Sequence, residues 1–193
     1  MSKISKGNNF ISLSDYDRDD ILSVMRGISS YDDQNLKRFI PNKKKLIANL
    51  FYEPSTRTSS SFYAAATYLG HEVLNINNVQ YSSVAKGESL EDTIRTLASY
   101  VHCIILRHSE GGAANAAAQV SDVPIINAGD GTGEHPTQTL LDLYTIYKEF
   151  NRLDQLTVTL MGDLKYGRTI HSLVQALDLF DTHINLIGPK ELK

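Results

Sequence analysis

The sequence predicts an α/β protein in which helices cover a parallel sheet, followed by an incomplete second α/β unit. Three observations predict this class. Short apolar runs of strand length alternate with helical patterns along the chain, which is typical of a parallel sheet. Polar, hydroxyl-rich or glycine-rich segments follow several of these runs. The last strand–helix–strand unit is too small to cover both faces of a parallel sheet, so the second unit is expected to be incomplete.

Composition and charge exclude several function classes. The net charge of −3 argues against binding nucleic acid through phosphate neutralisation. No apolar run approaches the length of about 18 residues that a membrane span requires. Cys103 is the only cysteine, so a disulfide framework is excluded and the thiol is interpreted as part of the core. The first seven residues lack the apolar stretch of a signal peptide. Together these features predict a cytoplasmic protein with no nucleic-acid or membrane partner.

The elements of the first half follow from apolar spacing and from the residues that end each run. Ser14 and Asp15 are candidate N-caps for the first helix. Glu53-Pro54 ends the first strand, and Gly70 is a common signal for the end of a helix. The expected order is a helix over Leu13–Ile28, a strand over Lys45–Tyr52, a helix over Ser60–Leu69, a strand over Val73–Ile76, a loop over Tyr81–Gly87 and a helix over Leu90–Tyr100.

The alternation continues through the second half, where Pro136 stands at the favoured first position of a helix. The expected order is a strand over Cys103–Leu106, a helix over Gly112–Val120, a strand over Pro124–Asn127, a glycine-rich loop over Ala128–Glu134, a helix over Pro136–Tyr147, a strand over Leu156–Met161, a loop over Gly162–Gly167, a helix over Thr169–Phe180 and a strand over His183–Ile187. A first domain is therefore expected over residues 1–150. A Rossmann-like second domain is expected to begin at residue 151 and to be incomplete at residue 193.

The most informative segment is the turn between the first strand and the next helix. Ser55, Thr56 and Thr58 supply hydroxyl donors, and Arg57 supplies a planar guanidinium suited to phosphate oxygens. The unpaired amides of a helix's first turn point to the same place, and the helix dipole favours an anion there. An ordinary N-cap requires only one such residue, whereas this turn has several donors and no acidic residue after Glu53. The turn is therefore predicted to bind an anion.

Further polar groups stand at the ends of predicted strands or in the loops that follow. Arg107 directly follows a predicted strand, and His135 and Gln138 are three residues apart, so they share one face at the start of a helix. Lys86 belongs to the polar loop Tyr81–Glu88, where a solvated lysine would be the ordinary interpretation. Ligands bind at the carboxyl ends of strands in open parallel sheets. These groups are therefore predicted to converge with the anion-binding turn on one sheet edge.

Five segments, in this order and at these intervals, resemble the motifs of aspartate carbamoyltransferase catalytic chains, and the resemblance extends over essentially the whole chain. The segments are Ser55-Thr56-Arg57-Thr58, Lys86-Gly87-Glu88, Arg107-His108, His135-Pro136-Thr137-Gln138 and Gly162-Asp163-Leu164-Lys165-Tyr166-Gly167-Arg168-Thr169. Each motif is weak to moderate alone, and the five in order are a strong signal. The first motif is similar to that of eukaryotic chains, because many bacterial ones have Arg at the position of Ser59 and Glu at that of Tyr63.

The resemblance implies a reaction and roles for the candidate residues. In this family the amine of L-aspartate attacks the carbonyl carbon of carbamoyl phosphate, and phosphate leaves, as a step of de novo pyrimidine biosynthesis. No cofactor or metal takes part. The resemblance implies that the anion-binding turn and Arg107 hold the phosphate. It also implies that Arg57, Thr58 and His135 polarise the carbonyl oxygen, as an oxyanion hole does, and that Gln138 binds the carbamoyl amide.

The resemblance also implies a second substrate site and partners. Ser82 and Lys86 would reach into a neighbouring subunit's site, because the family shares active sites across a trimer interface. Arg168 would contact a carboxylate of aspartate. A homotrimer is therefore expected, by itself or within a larger assembly of pyrimidine-pathway enzymes. Family chains are much longer, so this chain is expected to be truncated, to bind carbamoyl phosphate weakly and to catalyse no transfer alone.

Three alternatives compete with this interpretation. Ornithine carbamoyltransferase has the same fold and first substrate, but Lys86 and the run Gly162–Arg168 favour aspartate. A truncated, non-catalytic chain that binds carbamoyl phosphate or assembles with full-length subunits stays open. A nucleotide-binding Rossmann protein would need Gly-x-Gly-x-x-Gly after the first strand, where this chain has Ser-Thr-Arg-Thr.

Overall fold

The computed structural model describes residues 9–30, 43–77, 87–131 and 133–192. Its strands form two parallel sheets, one of four strands and one of two. The strands are β1 (Leu46–Phe51), β2 (Glu72–Asn77), β3 (Cys103–His108), β4 (Ile125–Asp130), β5 (Leu156–Met161) and β6 (Thr182–Ile187). The helices are α1 (Arg18–Ser29), α2 (Thr56–Tyr68), α3 (Leu90–Ala98), α4 (Ala113–Val120), α5 (Pro136–Phe150) and α6 (Arg168–Leu177), with short 3-10 helices at Leu13–Asp15 and Lys190–Leu192. The predicted α/β class is confirmed.

The four-stranded sheet has the order β2-β1-β3-β4. The chain moves from β1 to β2 on one side and then crosses to β3 on the other side of β1. The winding therefore reverses between β1 and β3, and ligands of open parallel sheets bind at the carboxyl ends of the strands at such a point. In the register of this pair, Phe51 at the end of β1 lies beside Arg107 of β3. The topology thus places the segment after β1 next to the end of β3.

Helices cover both faces of the four-stranded sheet. The strand residues that share a core with α3 and α4 are Ala48, Leu50, Ile104, Leu106 and Ile125. The strand residues that share a core with α2 on the other face are Ile47, Phe51, Ile105 and Ala128. Most residues of β1, β3 and β4 are buried, which agrees with the apolar runs that begin each of these strands.

The N-terminal segment joins the two sheets. Phe10 forms a parallel bridge to Ile126 beside β4, and its carbonyl accepts the Asn127 amide at 2.9 Å. A large apolar cluster then connects this segment with α1, α5 and α6. Its buried members are Phe10, Leu13, Tyr16, Ile21, Met25, Leu143, Leu153, Leu173, Ala176, Leu177 and Phe180. Val158 and Ile184 pack against the cluster, so one face of the two-stranded sheet shares a core with α1 and α5.

The rest of the two-stranded sheet is open to solvent. The exposed fractions are 49% for Leu186, 50% for Ile187 and 77% for Met161. Along β5, half-buried and exposed residues alternate without interruption. This agrees with the expectation that the second unit is too small to cover both faces of a parallel sheet.

The predicted order of strands and helices is confirmed, and the differences lie at element boundaries. The single helix predicted over Leu13–Ile28 is instead a 3-10 turn followed by α1. Asp17 separates the two, because its side chain accepts the Asp20 amide and caps α1. Within the part of the second unit that the structure describes, α6 ends at Leu177 and not at Phe180.

Three boundary corrections concern the candidate site. The helix predicted to begin at Ser60 begins at Thr56, so the hydroxyl-rich turn is the first turn of α2 itself. The strand predicted to end at Leu106 continues to His108, so Arg107 is a strand residue. The strand predicted to end at Asn127 continues to Asp130, into the glycine-rich segment that was predicted to be a loop.

Other predictions fall outside the described ranges or are met in part. Residues 81–86 of the predicted loop are not among the described residues. Cys103 is half-buried in β3, and burial raises the pKa of its thiol to about 11, so the thiol stays protonated at neutral pH. Across the described ranges, the helices are all too short or too polar to pass through a lipid bilayer.

Candidate active site

The first turn of α2 presents amide donors at the carboxyl end of β1. Ser55 is the N-cap and has an extended backbone conformation, but its side chain makes no capping hydrogen bond. The first amide bonded within the helix is that of Ser59, which donates to the Ser55 carbonyl at 3.0 Å. Helix geometry therefore leaves the amides from Ser55 to Thr58 without a partner inside the helix. The first turn has no acidic residue, so its electrostatics favour an anion.

Asn49 fixes α2 to the sheet from below, although the sequence pattern gave no sign of this role. It lies fully buried in the middle of β1. Its amide nitrogen Nδ2 is 3.1 Å from the Ser59 carbonyl, 3.2 Å from Ser59 Oγ and 3.0 Å from Asn75 Oδ1 of β2. The buried polar contact thus joins two strands to the end of the first turn of α2.

Arg107 lies beside the segment that leads from β1 into this turn, with only 13% of its side chain exposed. Its Nε is 3.3 Å from Glu53 Oε2, and its Nη1 donates to the Ala128 carbonyl at 3.2 Å. The Arg107 carbonyl accepts the Tyr52 amide at 2.9 Å, which ties the segment after β1 to β3. The guanidinium is therefore held by groups that follow β1 and belong to β4. Glu53 partly neutralises Arg107, which sequence reasoning did not anticipate.

His135 and Gln138 stand at the start of α5, as predicted. His135 is the N-cap and is buried, and its Nδ1 lies 3.3 Å from Thr137 Oγ1. Gln138 Nε2 donates to Asp142 Oδ1 at 3.0 Å. Burial raises the pKa of the Asp142 carboxyl, and the bond from Gln138 offsets part of that rise. The two side chains are thus placed after β4, the neighbour of β3.

The segment before His135 is tightly fixed. Asp130 Oδ1 accepts the Glu134 amide at 2.9 Å, and Asp130 Oδ2 accepts the Gly112 amide at 3.0 Å. The Gly131 amide donates to the His108 carbonyl at 2.8 Å. The segments that follow β3 and β4 are therefore bonded to each other at the candidate site.

The loop after β5 is ordered by hydrogen bonds from its backbone amides to the side chain of Asp163. Asp163 Oδ1 accepts the amides of Lys165 at 3.1 Å and Tyr166 at 2.9 Å. A side chain at Gly167 would come within 2.3 Å of the Asp163 carbonyl oxygen, so the turn requires glycine. The predicted aspartate contact Arg168 is the first residue of α6. Ser82 and Lys86 lie outside the described residues.

The sheet therefore brings several predicted residues to one edge. The turn Ser55–Thr58 follows β1, Arg107 ends β3, and His135 follows β4, in the spatial order of those strands. Arg57 is exposed at this edge. Asn49 and Asp130 are the residues that sequence reasoning missed. The only signal for them was a polar side chain inside or at the end of an apolar strand.

These features define an α/β protein with a candidate anion site where the winding of a parallel sheet reverses. The family model described as aspartate/ornithine carbamoyltransferase, carbamoyl-P binding domain, matches residues 8–148. The chain belongs to the aspartate/ornithine carbamoyltransferase family.

Curated relatives and solved structures agree with the family. The aspartate carbamoyltransferase catalytic subunit of Archaeoglobus fulgidus is 52% identical over 186 residues, which cover 95% of this chain and 62% of the relative. The aspartate carbamoyltransferase catalytic subunit of Thermococcus kodakarensis is 47% identical over 190 residues, which cover 97% of this chain and 61% of the relative. The chain thus spans about 62% of the length of the curated relatives it matches.

Two solved structures illustrate the similarity in three dimensions. The catalytic subunit of M. jannaschii aspartate transcarbamoylase has a TM-score of 0.88 at 49% identity, covering 96% of this chain and 62% of that one. Aspartate transcarbamoylase from Trypanosoma cruzi, in complex with carbamoyl phosphate and aspartate, has a TM-score of 0.88 at 40% identity. The match covers 97% of this chain and 63% of that one.

Proposed function

We propose that this chain forms the carbamoyl-phosphate-binding part of a cytoplasmic aspartate carbamoyltransferase. The enzyme would transfer the carbamoyl group of carbamoyl phosphate to the amine of L-aspartate, giving N-carbamoyl-L-aspartate and phosphate for de novo pyrimidine biosynthesis. In this proposal residues 1–150 form the carbamoyl-phosphate domain, and residues 151–193 begin the aspartate domain. Membership of the family and the names of the relatives support the choice of reaction.

One observation carries the proposal, namely that the uncapped first turn of α2 follows β1 at the carboxyl edge where Arg107 ends β3 and the sheet winding reverses. The amides of this turn and the dipole of α2 favour a phosphate group. Arg107 adds a cation that is largely shielded from water and is held in place by Glu53 and Ala128. Donors that are already fixed need little reorganisation when an anion binds.

The carbamoyl group would lie between this phosphate site and the start of α5. Arg57, Thr58 and His135 would donate to the carbonyl oxygen, whose negative charge grows as the amine attacks. The carbon–nitrogen bond then forms, the carbon–oxygen bond to phosphate breaks, and the amine loses a proton. The nitrogen of Gln138 is engaged with Asp142, which leaves the amide oxygen of Gln138 as the atom that would accept a carbamoyl N–H.

The aspartate site and the assembly are proposed from the resemblance. Arg168 would bind a carboxylate of aspartate, and Ser82 and Lys86 would complete the site of a neighbouring chain in a homotrimer. Sedimentation velocity tests the assembly: the expected species has the mass of three 21.5-kDa chains. A monomer at every concentration would argue against the shared site.

Calorimetric titration of the chain with freshly dissolved carbamoyl phosphate tests the function directly. We expect saturable binding, and at least tenfold weaker binding for Arg57→Ala, because removal of a charged hydrogen-bond donor costs about 1.5–3 kcal/mol. Arg152→Ala, which changes an exposed arginine distant in sequence, is the matched control. We also expect no carbamoyl aspartate from these 193 residues alone, since Lys86 and Arg168 are the only proposed aspartate contacts in them. Equal affinity of the Arg57→Ala and unmodified chains would remove Arg57 from the site.

A further inference from the structure

We propose that Asp130 is a positioning residue that holds the phosphate-binding side of the site and the carbamoyl-binding side at a fixed separation. This inference rests on the proposed function, since it assigns to Asp130 the placement of Arg107 relative to His135. It goes beyond that function, because Asp130 contacts neither substrate in the proposal.

The hydrogen bonds of Asp130 connect the two sides. Only 5% of this residue is exposed. One carboxylate oxygen accepts the amide of Gly112, in the segment that follows β3 and Arg107. The other accepts the amide of Glu134, the residue immediately before His135. One carboxylate thus joins the segment after β3 to the segment that enters α5.

Backbone bonds reinforce the same connection. The Gly131 amide donates to the His108 carbonyl at 2.8 Å, and the Gly133 amide donates to the Asp130 carbonyl at 2.8 Å. Glu134 is held on its other side, because its carboxylate accepts the Ser12 hydroxyl at 2.6 Å. The turn before His135 is therefore fixed from both directions.

The glycines of this turn show how closely it is packed around Asp130. A side chain at Gly133 would approach Asp130 Oδ1 to 2.5 Å and the Asp130 carbonyl oxygen to 2.9 Å. A side chain at Gly131, where φ is +50°, would approach the Ser109 carbonyl oxygen to 2.3 Å. Close approach of backbone to backbone is thus built into both positions, and it leaves the carboxylate little freedom to move.

Asparagine cannot replace this carboxylate. Both oxygens of Asp130 accept an amide hydrogen, whereas asparagine offers one acceptor oxygen and one NH2 donor. In Asp130→Asn one of the two amides would face another donor, and the segment before His135 or the segment after Arg107 would shift. Both hydrogen bonds of the Asp130 carboxylate go to segments outside the anion-binding turn of α2, so this turn would keep its geometry.

A comparison of carbamoyl phosphate with inorganic phosphate distinguishes a positioning role of Asp130 from general destabilisation of the protein. Inorganic phosphate needs only the α2 turn and Arg107 in the proposed site, whereas carbamoyl phosphate also needs His135 and Gln138 at the correct separation. Loss of positioning should therefore weaken the binding of carbamoyl phosphate much more than the binding of phosphate. If Asp130 had a merely structural role, its substitution would weaken the binding of both ligands by the same factor, or of neither ligand.

The test is calorimetric titration of the unmodified chain, Asp130→Asn and Asp122→Asn with carbamoyl phosphate and, separately, with inorganic phosphate. Asp122 is exposed in the turn before β4, at the opposite end of that strand, and is the matched control. For Asp130→Asn we expect carbamoyl phosphate to bind about tenfold more weakly, the loss typical of one hydrogen bond to a charged group. The affinity of Asp130→Asn for phosphate should change by less than about twofold. Asp122→Asn should change the affinity for neither ligand.

Gly133→Ala provides a second route if Asp130→Asn does not fold. It displaces the same carboxylate without removing it, and Gly27→Ala in α1, where an added side chain meets nothing within 4 Å, is its control. Folded variants that lose affinity for both ligands equally, or for neither, would overturn the positioning role of Asp130 and leave the proposed function standing. An unmodified chain that binds neither ligand would overturn the proposed function, and the positioning role with it.

Discussion

The two parallel sheets of this chain are built from similar strands but are buried to very different degrees. In the four-stranded sheet, β1 is buried from Ile47 to Phe51 and helices cover both faces. In the two-stranded sheet, half-buried and exposed residues alternate along β5, and Leu186 and Ile187 of β6 are about half exposed. Each sheet is parallel in register, so strand pairing alone does not account for the difference.

Burial of the strands decides where a preorganised site can lie. Buried polar groups such as Asn49 and Asp130 occur in the first sheet, where packed strands hold their partners in place. Two parallel strands with one covered face have little capacity for this, because such a sheet relies on its neighbours for stability. We therefore expect substitutions in the first sheet to have large effects on stability and binding, and matched substitutions around the second to have small ones.

The largest expected effect comes from Arg107. Arg107→Ala removes a mostly buried cation and leaves Glu53 without its ion-pair partner. Truncation of one member of such a charged pair costs about 2–5 kcal/mol of binding free energy, so binding of carbamoyl phosphate should become undetectable by calorimetry. The exposed Arg152, just before β5, provides the comparison: Arg152→Ala should leave the affinity unchanged. Retention of full affinity by Arg107→Ala would show that Arg107 does not hold the phosphate.

Core truncation compares the two sheets in stability. Leu50 is fully buried in β1, so Leu50→Ala should lower the free energy of unfolding by about 2–5 kcal/mol. Leu186 in β6 is 49% exposed, and Leu186→Ala should lower it by about 0.5 kcal/mol or less. Urea denaturation followed by circular dichroism measures both. Equal losses would show that the second sheet is packed more firmly than its exposure indicates.

Asparagines within the two sheets give a similar, smaller contrast. Asn49→Ala removes the bonds to Ser59 and Asn75, and loss of a buried hydrogen-bond partner costs about 1–3 kcal/mol. It should also weaken carbamoyl phosphate binding, because Ser59 closes the first turn of α2. Asn185→Ala in β6 removes a single 3.4 Å contact to Thr159 Oγ1 and should be close to neutral. Thermal unfolding with and without ligand separates the effects on stability and on binding.

The smallest expected effect is a pH dependence at the amino end of the first sheet. His71 Nδ1 accepts the Lys45 amide at 3.3 Å, and burial, followed by the charges of Lys45 and His102, lowers the pKa of His71. A lowered pKa favours the neutral ring in the folded state. The contribution of the neutral His71 ring to the stability of the fold is thus complete above the ordinary histidine pKa of about 6.5. It is lost as the pH falls below that value. Melting temperatures between pH 8 and pH 5 should fall less steeply for His71→Gln than for the unmodified chain. His183→Gln, an exposed position of β6, should not change the slope.

The order of elements could be predicted from the sequence because it follows from local patterns. Apolar runs marked the strands, and Pro136 and Gly70 marked helix boundaries. The start of α2 was placed too late, since Thr56 and its hydroxyl-bearing neighbours favour turns over helix interiors unless a ligand site or a cap requires them. The end of β4 was placed too early because glycine and aspartate are rare in strands.

The positioning residues could not be predicted because their partners are distant in the chain. Asn49 bonds to Ser59 and Asn75, and Asp130 bonds to Gly112, so each role exists only after β1, β2, β3 and β4 have paired. The pairing of Arg107 with Glu53 depends in the same way on the register of β1 and β3. Sequence motifs identified the residues that would contact the ligand, and tertiary structure was required to identify the residues that hold them.

The most direct test of the anion site is a site-resolved NMR titration of the 15N-labelled chain with carbamoyl phosphate. Amide chemical shifts report which backbone donors meet the ligand. We expect the largest shifts at Thr56, Arg57 and Thr58 and smaller ones at Arg107 and around His135, while the amides of β5 and β6 stay unchanged. Shifts confined to the second sheet, or saturable binding that leaves the first turn of α2 unshifted, would show that the anion site is not built on the first sheet.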